Sequence, residues 1–261
     1  MKENKKLLVA KIGGNILNNK EVLQTFLSDF AKINQPKILI HGGGKSATKL
    51  ASTLGIPTEM IDGRRITSAE NLDIVVMTYA GLINKNVVAE LQKNNCNALG
   101  LTGADANVIQ SVKRPIQFVD YGFVGDVVKV KGAIIHTFLK KDIIPVFCAV
   151  THDSNGQLLN TNADTIAAEV AAAMSAFYKV SLYYCFELKG VMVDIKDENS
   201  VIEKINLEKY KELREKEIIA DGMLPKLQNC FYALENGVKT VHIANANYIK
   251  DQNTVHTTLS L

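Results

Sequence analysis

Apolar residues in this chain fall into two patterns that alternate along its length. One is the short solid run of strand length; the other is the stripe that returns every three or four residues. Residues 7–12 and 37–41 are solid runs and predict buried strands. Between them, Val22, Leu23, Phe26, Leu27 and Phe30 recur at helical spacing and predict a helix over 21–33. A second helix is expected over 46–54 and a long periodic one over 69–94. Residues 57–67 carry β-formers on either side of Asp62-Gly63, a strong hairpin-turn dipeptide. A buried strand at 98–101 and less regular hairpins over 104–131 follow. Next come a helix at 133–140, a strand at 143–149, a turn at 153–156, an alanine-rich helix at 164–174 and a strand at 180–185. Helices at 207–216 and 223–235 and a last strand at 240–243 complete the pattern. Alternating strands and helices imply a mostly parallel sheet covered on both faces. The expected class is α/β, an open, mostly parallel three-layer αβα sandwich.

Composition narrows the function without naming it. The chain has 261 residues, 47% hydrophobic and 22% charged, enough apolar material for one large domain. The turn region near 150–157 is the expected boundary between an N-lobe of about 1–152 and a C-lobe of about 153–261. A net charge of +3 is too small to make nucleic acid the main partner, and it is compatible with an anionic substrate. Cys96, Cys148, Cys185 and Cys230 form no C-x-x-C pair, so a zinc site is not expected. Free thiols in apolar runs suit a reducing cytoplasm. The start MKENKKLLVAKIGG is basic, but its short apolar run ends in Gly-Gly, so no signal peptide is expected. No apolar run reads as long enough to span a membrane, and no membrane partner is expected.

Two glycine clusters follow strands directly: Lys11-Ile12-Gly13-Gly14-Asn15 and His41-Gly42-Gly43-Gly44-Lys45. Such turns let backbone N–H groups approach an anion, and a following helix N-terminus adds its dipole. Tight turns alone would need the same glycines, but each cluster also has a lysine beside it. The second cluster fails three better-known patterns. A P-loop needs glycine where Leu39 stands. The relaxed dinucleotide fingerprint Gly42-x-Gly44-x-x-Ala47 has no second parallel strand ending in an acid. The lipase oxyanion loop would need a G-x-S-x-G elbow, and the chain has none.

Both clusters, taken with later motifs, resemble the amino acid kinase family. The motifs are K-I-G-G-N at 11–15, H-G-G-G-K at 41–45, D-G-R-R-I-T at 62–67 and G-F-V-G-D-V at 122–127, then L-N-T-N-A-D at 159–164, E-L-K-G-V at 187–191 and D-G-M-L-P-K-L at 221–227. They follow the family's order and cover essentially the whole chain. The D-G-x-R-x-T and N-x-N-A-D segments are similar to its acetylglutamate branch. The resemblance implies ATP-dependent phosphorylation of the γ-carboxylate of N-acetyl-L-glutamate, in arginine biosynthesis. N-succinyl-L-glutamate or another acyl-amino acid is the alternative acceptor. A non-catalytic amino-acid-binding regulator and a dinucleotide-binding oxidoreductase are the readings from other classes.

The resemblance also distributes roles. Lys11 takes the acceptor side of the transferring γ-phosphoryl group and Lys226 the leaving side. Asp164 pairs with both lysines, although by position alone it reads as a helix N-cap. Gly14 and Gly43 are backbone donors to the transferring group, and Gly43, Gly44, Arg65 and Asn160 hold the acyl-glutamate. Without the family, Arg65 reads as a charge on a hairpin surface. The expected ATP contacts are Gly13, Glu187, Leu188, Lys189, Gly190, Val191, Met192, Ile218, Ile219 and Ala220. Magnesium should accompany ATP, bridging its β- and γ-phosphates, with no dedicated protein cage. Three departures from the family's pattern bear on specificity: Glu187 for a shorter acid, Lys189 in the nucleotide-side turn, and Arg64 beside Arg65 where an apolar residue is usual. The long helix at 69–94 is similar to the family's dimer helix, so a homodimer is expected. Residues 1–6 are short and polar, unlike the N-terminal helix of the arginine-inhibited hexameric members, so inhibition by arginine is not expected.

Overall fold

Each residue from Leu7 to Ala10 is buried, so the first strand must lie inside a sheet covered on both faces. A computed structural model describes residues 5–61, 64–216, 218–219 and 223–261 and bears this out. The predicted turn residues Asp62-Gly63 and the segment Ala220-Asp221-Gly222 lie outside the described residues.

Eight strands form the main sheet in the order Lys204–Ile205, Thr257–Leu259, Thr240–Asn245, Lys179–Phe186, Lys6–Ile12, Lys37–His41, Ile144–Cys148 and Ala98–Leu101. Every neighbouring pair is parallel except Thr240–Asn245 with Thr257–Leu259. The period-2 alternation divides the first strand between two cores. Leu7 and Val9 join the cluster containing Ile166, Val170 and Leu227, whereas Leu8, Ala10 and Ile12 join the one with Phe26, Phe30 and Leu91. Helices Ala163–Met174 and Leu224–Glu235 cover one face and Lys20–Ala31 and Asn84–Lys93 the other. The three-layer αβα expectation holds.

The pattern misjudged the margins. Ala98–Leu101 is an edge strand rather than a buried one, and Leu99 is exposed. Thr240–Asn245 is not the last strand: Thr257–Leu259 pairs against it, and Lys204–Ile205 pairs beyond that. Residues 104–131 do form a hairpin, Ile109–Lys113 with Gly125–Val130. It joins Val150–His152 and Leu158–Asn160 in a second sheet of four strands.

The long helix is continuous but not uniform. Ala69–Val75 is α-helical, Val76–Ile83 is π-helical and Asn84–Lys93 is α-helical again. By length and mean hydropathy, 1.2, this helix is apolar enough to cross a membrane, which corrects the sequence expectation that no run qualifies. Its buried faces pack on the sheet instead, with Ile74 and Val75 in one core and Val87 and Leu91 in the other.

Lys37 solves a local problem that the apolar pattern hides. The last carbonyls of helix Lys20–Ala31 lack helical donors. The buried Lys37 ammonium donates to Phe30 O, Ala31 O and Ile33 O at 2.8, 2.7 and 2.9 Å. A cation there also complements the helix dipole.

Candidate active site

In open parallel sheets, ligands gather at the carboxyl ends of the strands. Strands Lys6–Ile12 and Lys37–His41 both end there in glycine turns, and Gly42 N donates to Ile12 O at 3.2 Å, which sets the turns side by side. Beyond the turns, Lys45 Nζ donates to Asn15 Oδ1 at 2.7 Å. Two glycines are needed for different reasons. Gly14 sits at φ +47°, where side chains are strained. Gly43 lies under the π segment, and a Cβ there would come within 2.5 Å of Tyr79 Cδ1 and 2.8 Å of Ile83 Cδ1.

The second turn is tied from below. His41 is fully buried, its Nδ1 2.8 Å from Gly42 O and its Nε2 3.0 Å from Asn84 Nδ2. The Asn84 amide also donates to Val146 O at 3.0 Å. Since Asn84 must donate to Nε2, the ring proton resides on Nδ1 and points to the Gly42 carbonyl. Asn84 is the first residue after the π segment, so the long helix supports the turn through both Tyr79 and Asn84.

Three charges meet above the first turn. Lys11 Nζ lies 2.6 Å from Asp164 Oδ1, and Lys226 Nζ lies 2.7 Å from Asp164 Oδ2. The three side chains are only 14–16% exposed. Gly13 gives Lys11 its passage, since a Cβ there would stand 2.9 Å from the ammonium. Lys226 enters from the first turn of helix Leu224–Glu235, which Pro225 opens, and its ammonium lies over the Tyr184 and Phe186 rings. Burial alone would raise the Asp164 pKa, but the two ammonium groups override it and hold the carboxyl well below the usual range. Burial pulls Lys11 below the normal lysine value, Asp164 opposes this and Lys226 adds to it. The triad carries a net charge of +1, and Lys11 and Asp164 line the same cleft as the two glycine turns, a setting suited to an anion.

Asp164 is not the helix cap that its position suggests. Asn162 takes that role, accepting from Asp164 N at 2.8 Å and Thr165 N at 3.1 Å. The Asp164 side chain is thereby left to the lysines.

One cleft connects these parts. Lys11, Gly13, Gly14, Asp164 and Gly42–Gly44 line one end, and Arg65, Asn160 and Tyr79 continue the wall. Arg65 is 6% exposed, not a surface charge. Its Nη2 donates to Thr48 Oγ1 at 2.7 Å and to Gly44 O at 3.1 Å, and its Nη1 to Thr58 Oγ1 at 3.1 Å. Asn160 Nδ2 donates to Thr67 Oγ1 at 3.0 Å. Nothing local in the sequence marks Thr48, Thr58 or Asn84 as supports.

The structure does not bring the remaining candidates into that cleft. Glu187 reaches toward the first turn, its Oε2 3.4 Å from where a Gly14 Cβ would stand. Lys189 pairs with Glu198 at 2.8 Å. Gly190 abuts Thr257, whose hydroxyl accepts from Val191 N at 2.8 Å. Val191, Met192 and Ile219 are buried, Leu188 and Ile218 partly so, and Ala220 lies outside the described residues. Among the described residues, no group of three His, Cys, Asp or Glu side chains stands ready for a metal. Among the described residues, Asp164 is the single carboxylate lining the cleft, and both lysines already occupy it. All four cysteines are free and buried.

Residues 6–245 match the model of the amino acid kinase family. The chain belongs to the amino acid kinase family. It is 53% identical to the acetylglutamate kinase of Cytophaga hutchinsonii, with 97% of this chain and 98% of that protein covered. To the acetylglutamate kinase of Bacteroides thetaiotaomicron it is 52% identical, over 94% and 96%. Among solved structures it is similar to smu.665 from Streptococcus mutans UA159, with a TM-score of 0.81 and 26% identity over 97% and 98% of the two chains. This membership agrees with the mostly parallel sheet covered by helices on both faces.

Two buried histidines predict how this family member responds to acid. Burial lowers His41 to about 4, and nearby Lys85 adds to the effect. Burial and the neighbouring His256 lower His242 to about 4. An unfolded histidine titrates near ~6.5, so the unfolded chain binds more protons than the folded one below that pH. Stability should hold above about pH 6.5 and fall as the pH drops toward 4. Urea midpoints measured across this interval check it, and a flat profile contradicts it.

Proposed function

We propose that this chain transfers the γ-phosphoryl group of ATP to the γ-carboxylate of N-acetyl-L-glutamate, giving the acyl phosphate and ADP. The observation that carries the reading is one mostly buried carboxylate, Asp164, holding two ammonium groups beside adjacent glycine turns. The near-full-length likeness to acetylglutamate kinases supports the choice of acceptor.

A glutamate side chain, with its pKa near ~4.3, is already an ionised nucleophile at neutral pH. No general base is required. A carboxylate oxygen attacks the γ-phosphorus as the bond to the β–γ bridging oxygen breaks, and that oxygen leaves with ADP. The barrier lies in bringing two anions together, which fixed positive charge and oriented amides lower. Lys11 serves the acceptor side and Lys226 the leaving side, with Asp164 setting their positions. Gly14 and Gly43 offer backbone N–H groups. Arg65 and Asn160 bind the acceptor, the planar guanidinium suiting its α-carboxylate. The nucleotide would lie along Gly13, residues 187–192 and residues 218–220. Magnesium would travel on the phosphates of ATP and neutralise part of their charge, since among the described residues the one carboxylate on the cleft is paired with both lysines.

Residues 1–152 supply the four main-sheet strands at one side of the Lys6–Ile12/Lys179–Phe186 pairing, and residues 153–261 supply the other four. This supports an acceptor lobe of about 1–152 and a nucleotide lobe of about 153–261. Met77 and Leu82 are exposed on the long helix and support a homodimer formed through it, which sedimentation velocity tests. The need for ATP and the four unpaired thiols support a cytoplasmic location.

The test is ADP release coupled to NADH oxidation, with N-acetyl-L-glutamate as acceptor. ADP release no greater with the acceptor than without it would refute the reading. Arg65→Ala should raise KM for the acyl-glutamate by about tenfold or more and leave KM for ATP little changed. An effect confined to ATP would put Arg65 on the wrong substrate.

A further inference from the structure

The carbonyl of Gly42 and the N–H of Gly43 belong to one planar peptide unit. Gly43 lines the cleft, and among the described residues its N–H has no acceptor. The carbonyl of the same unit has a donor, His41 Nδ1, at 2.8 Å. That ring is fully buried at the end of strand Lys37–His41 and does not line the cleft itself.

What directs this hydrogen bond lies deeper. Asn84 Oδ1 accepts from Lys85 Nζ at 3.2 Å, while Asn84 Nδ2 donates to Val146 O and to His41 Nε2, each at 3.0 Å. Turned round, the amide would set its oxygen against the Val146 carbonyl and its NH2 against an ammonium, so one orientation alone pairs every group. Gly100 makes room for it, because a Cβ there would collide with Asn84 Oδ1. Burial lowers His41 to about 4, so at pH 7 the ring is neutral and carries a single proton. With Nε2 accepting from Asn84, that proton stands on Nδ1 and is donated to Gly42 O. The result is a directed chain from Lys85 through Asn84 and His41 to the Gly42–Gly43 peptide, and each donor in such a chain strengthens the next. Electron density drawn toward the Gly42 oxygen leaves the Gly43 N–H more positive.

We infer that His41 is a positioning residue for phosphoryl transfer: through the Gly42 carbonyl it aims the Gly43 N–H at the transferring group and makes it a stronger donor. The inference rests on the kinase reading, in which that N–H meets the transferring phosphoryl group. A donor whose effect grows with the charge of the transition state changes kcat more than it changes substrate binding.

Substitution can separate the two ring nitrogens, since an asparagine amide reaches about as far as Nδ1 and a glutamine amide about as far as Nε2. In the ADP-release assay with N-acetyl-L-glutamate, His41→Leu should lower kcat about tenfold or more, with KM for both substrates within about twofold of wild type. His41→Asn should recover most of that kcat, because it can still donate to Gly42 O, and His41→Gln should not. One readout needs no variant to fold: nitrogen-15 spectra of His41 in the unaltered chain at neutral pH should place the ring proton on Nδ1. A proton on Nε2, a near-normal kcat in His41→Leu, equal recovery by His41→Asn and His41→Gln, or a loss confined to KM overturns the inference and leaves the kinase reading standing. No acceptor-dependent ADP release by the wild-type chain refutes the kinase reading, and the inference with it.

Discussion

Asp164→Ala is expected to lower kcat by a factor of about 10³ or more, beyond the effect of removing either lysine alone. The side chain bridges two ammonium groups that are mostly withdrawn from water. Without it, Lys11 and Lys226 repel one another at close range, and burial already draws Lys11 toward its neutral form. One lysine then loses its proton or its position, and the transferring phosphoryl group loses that charge. Asp164→Asn isolates the cause, because it keeps the shape and leaves the Asn162 cap in place. Its loss should approach that of alanine. Its residual activity should rise as the pH falls, because lower pH returns the proton to Lys11. A pH-rate profile parallel to that of the wild type would show that Asp164 acts by shape and not by charge.

Lys11→Ala and Lys226→Ala are each expected to lower kcat by a factor of about 10² or more, with modest effects on ATP binding. A charge that acts mainly on the transition state lowers kcat and kcat/KM together. Each variant leaves Asp164 with one partner, so neither strands an unpaired carboxylate and folding should survive. Near-normal turnover in either variant would remove that lysine from the mechanism. A large rise in KM for ATP with kcat intact would make it a nucleotide anchor instead.

The central strands and helices were legible because they bury one continuous run or one stripe, which period alone reveals. The two strands at the other edge from Ala98–Leu101 were not. Lys204–Ile205 and Thr257–Leu259 have two and three residues, too few to show a period, and their pairing comes from the sheet edge. The π segment was hidden because its residues, VMTYAGLI, are apolar under either helical geometry. At the site, the glycine turns and their lysines announced themselves locally. The exchange of roles between Asn162 and Asp164 did not, since both residue types cap helices and only the distant Lys11 and Lys226 decide which one turns away. Arg65 reads as a surface charge until the threonines that brace it, Thr48 and Thr58, are brought to it by folding. Asn84 was illegible for a similar reason, because its partners His41 and Val146 are far away in the chain.

The π segment makes the length of the long helix adjustable at one place. An i→i+5 turn holds one more residue than an i→i+4 turn. Removing a residue from either α-helical flank would rotate everything beyond it by about 100° and carry Asn84 or its neighbours off their partners. A single deletion inside Val76–Ile83 would let the segment close as ordinary α-helix with both flanks still in phase. Asn84 would keep its hold on His41, while Tyr79 would draw back from Gly43. The surplus residue is therefore the part of this helix that a shorter homologue can omit at the lowest cost to folding, and its omission would loosen the roof over the second glycine turn without touching its floor.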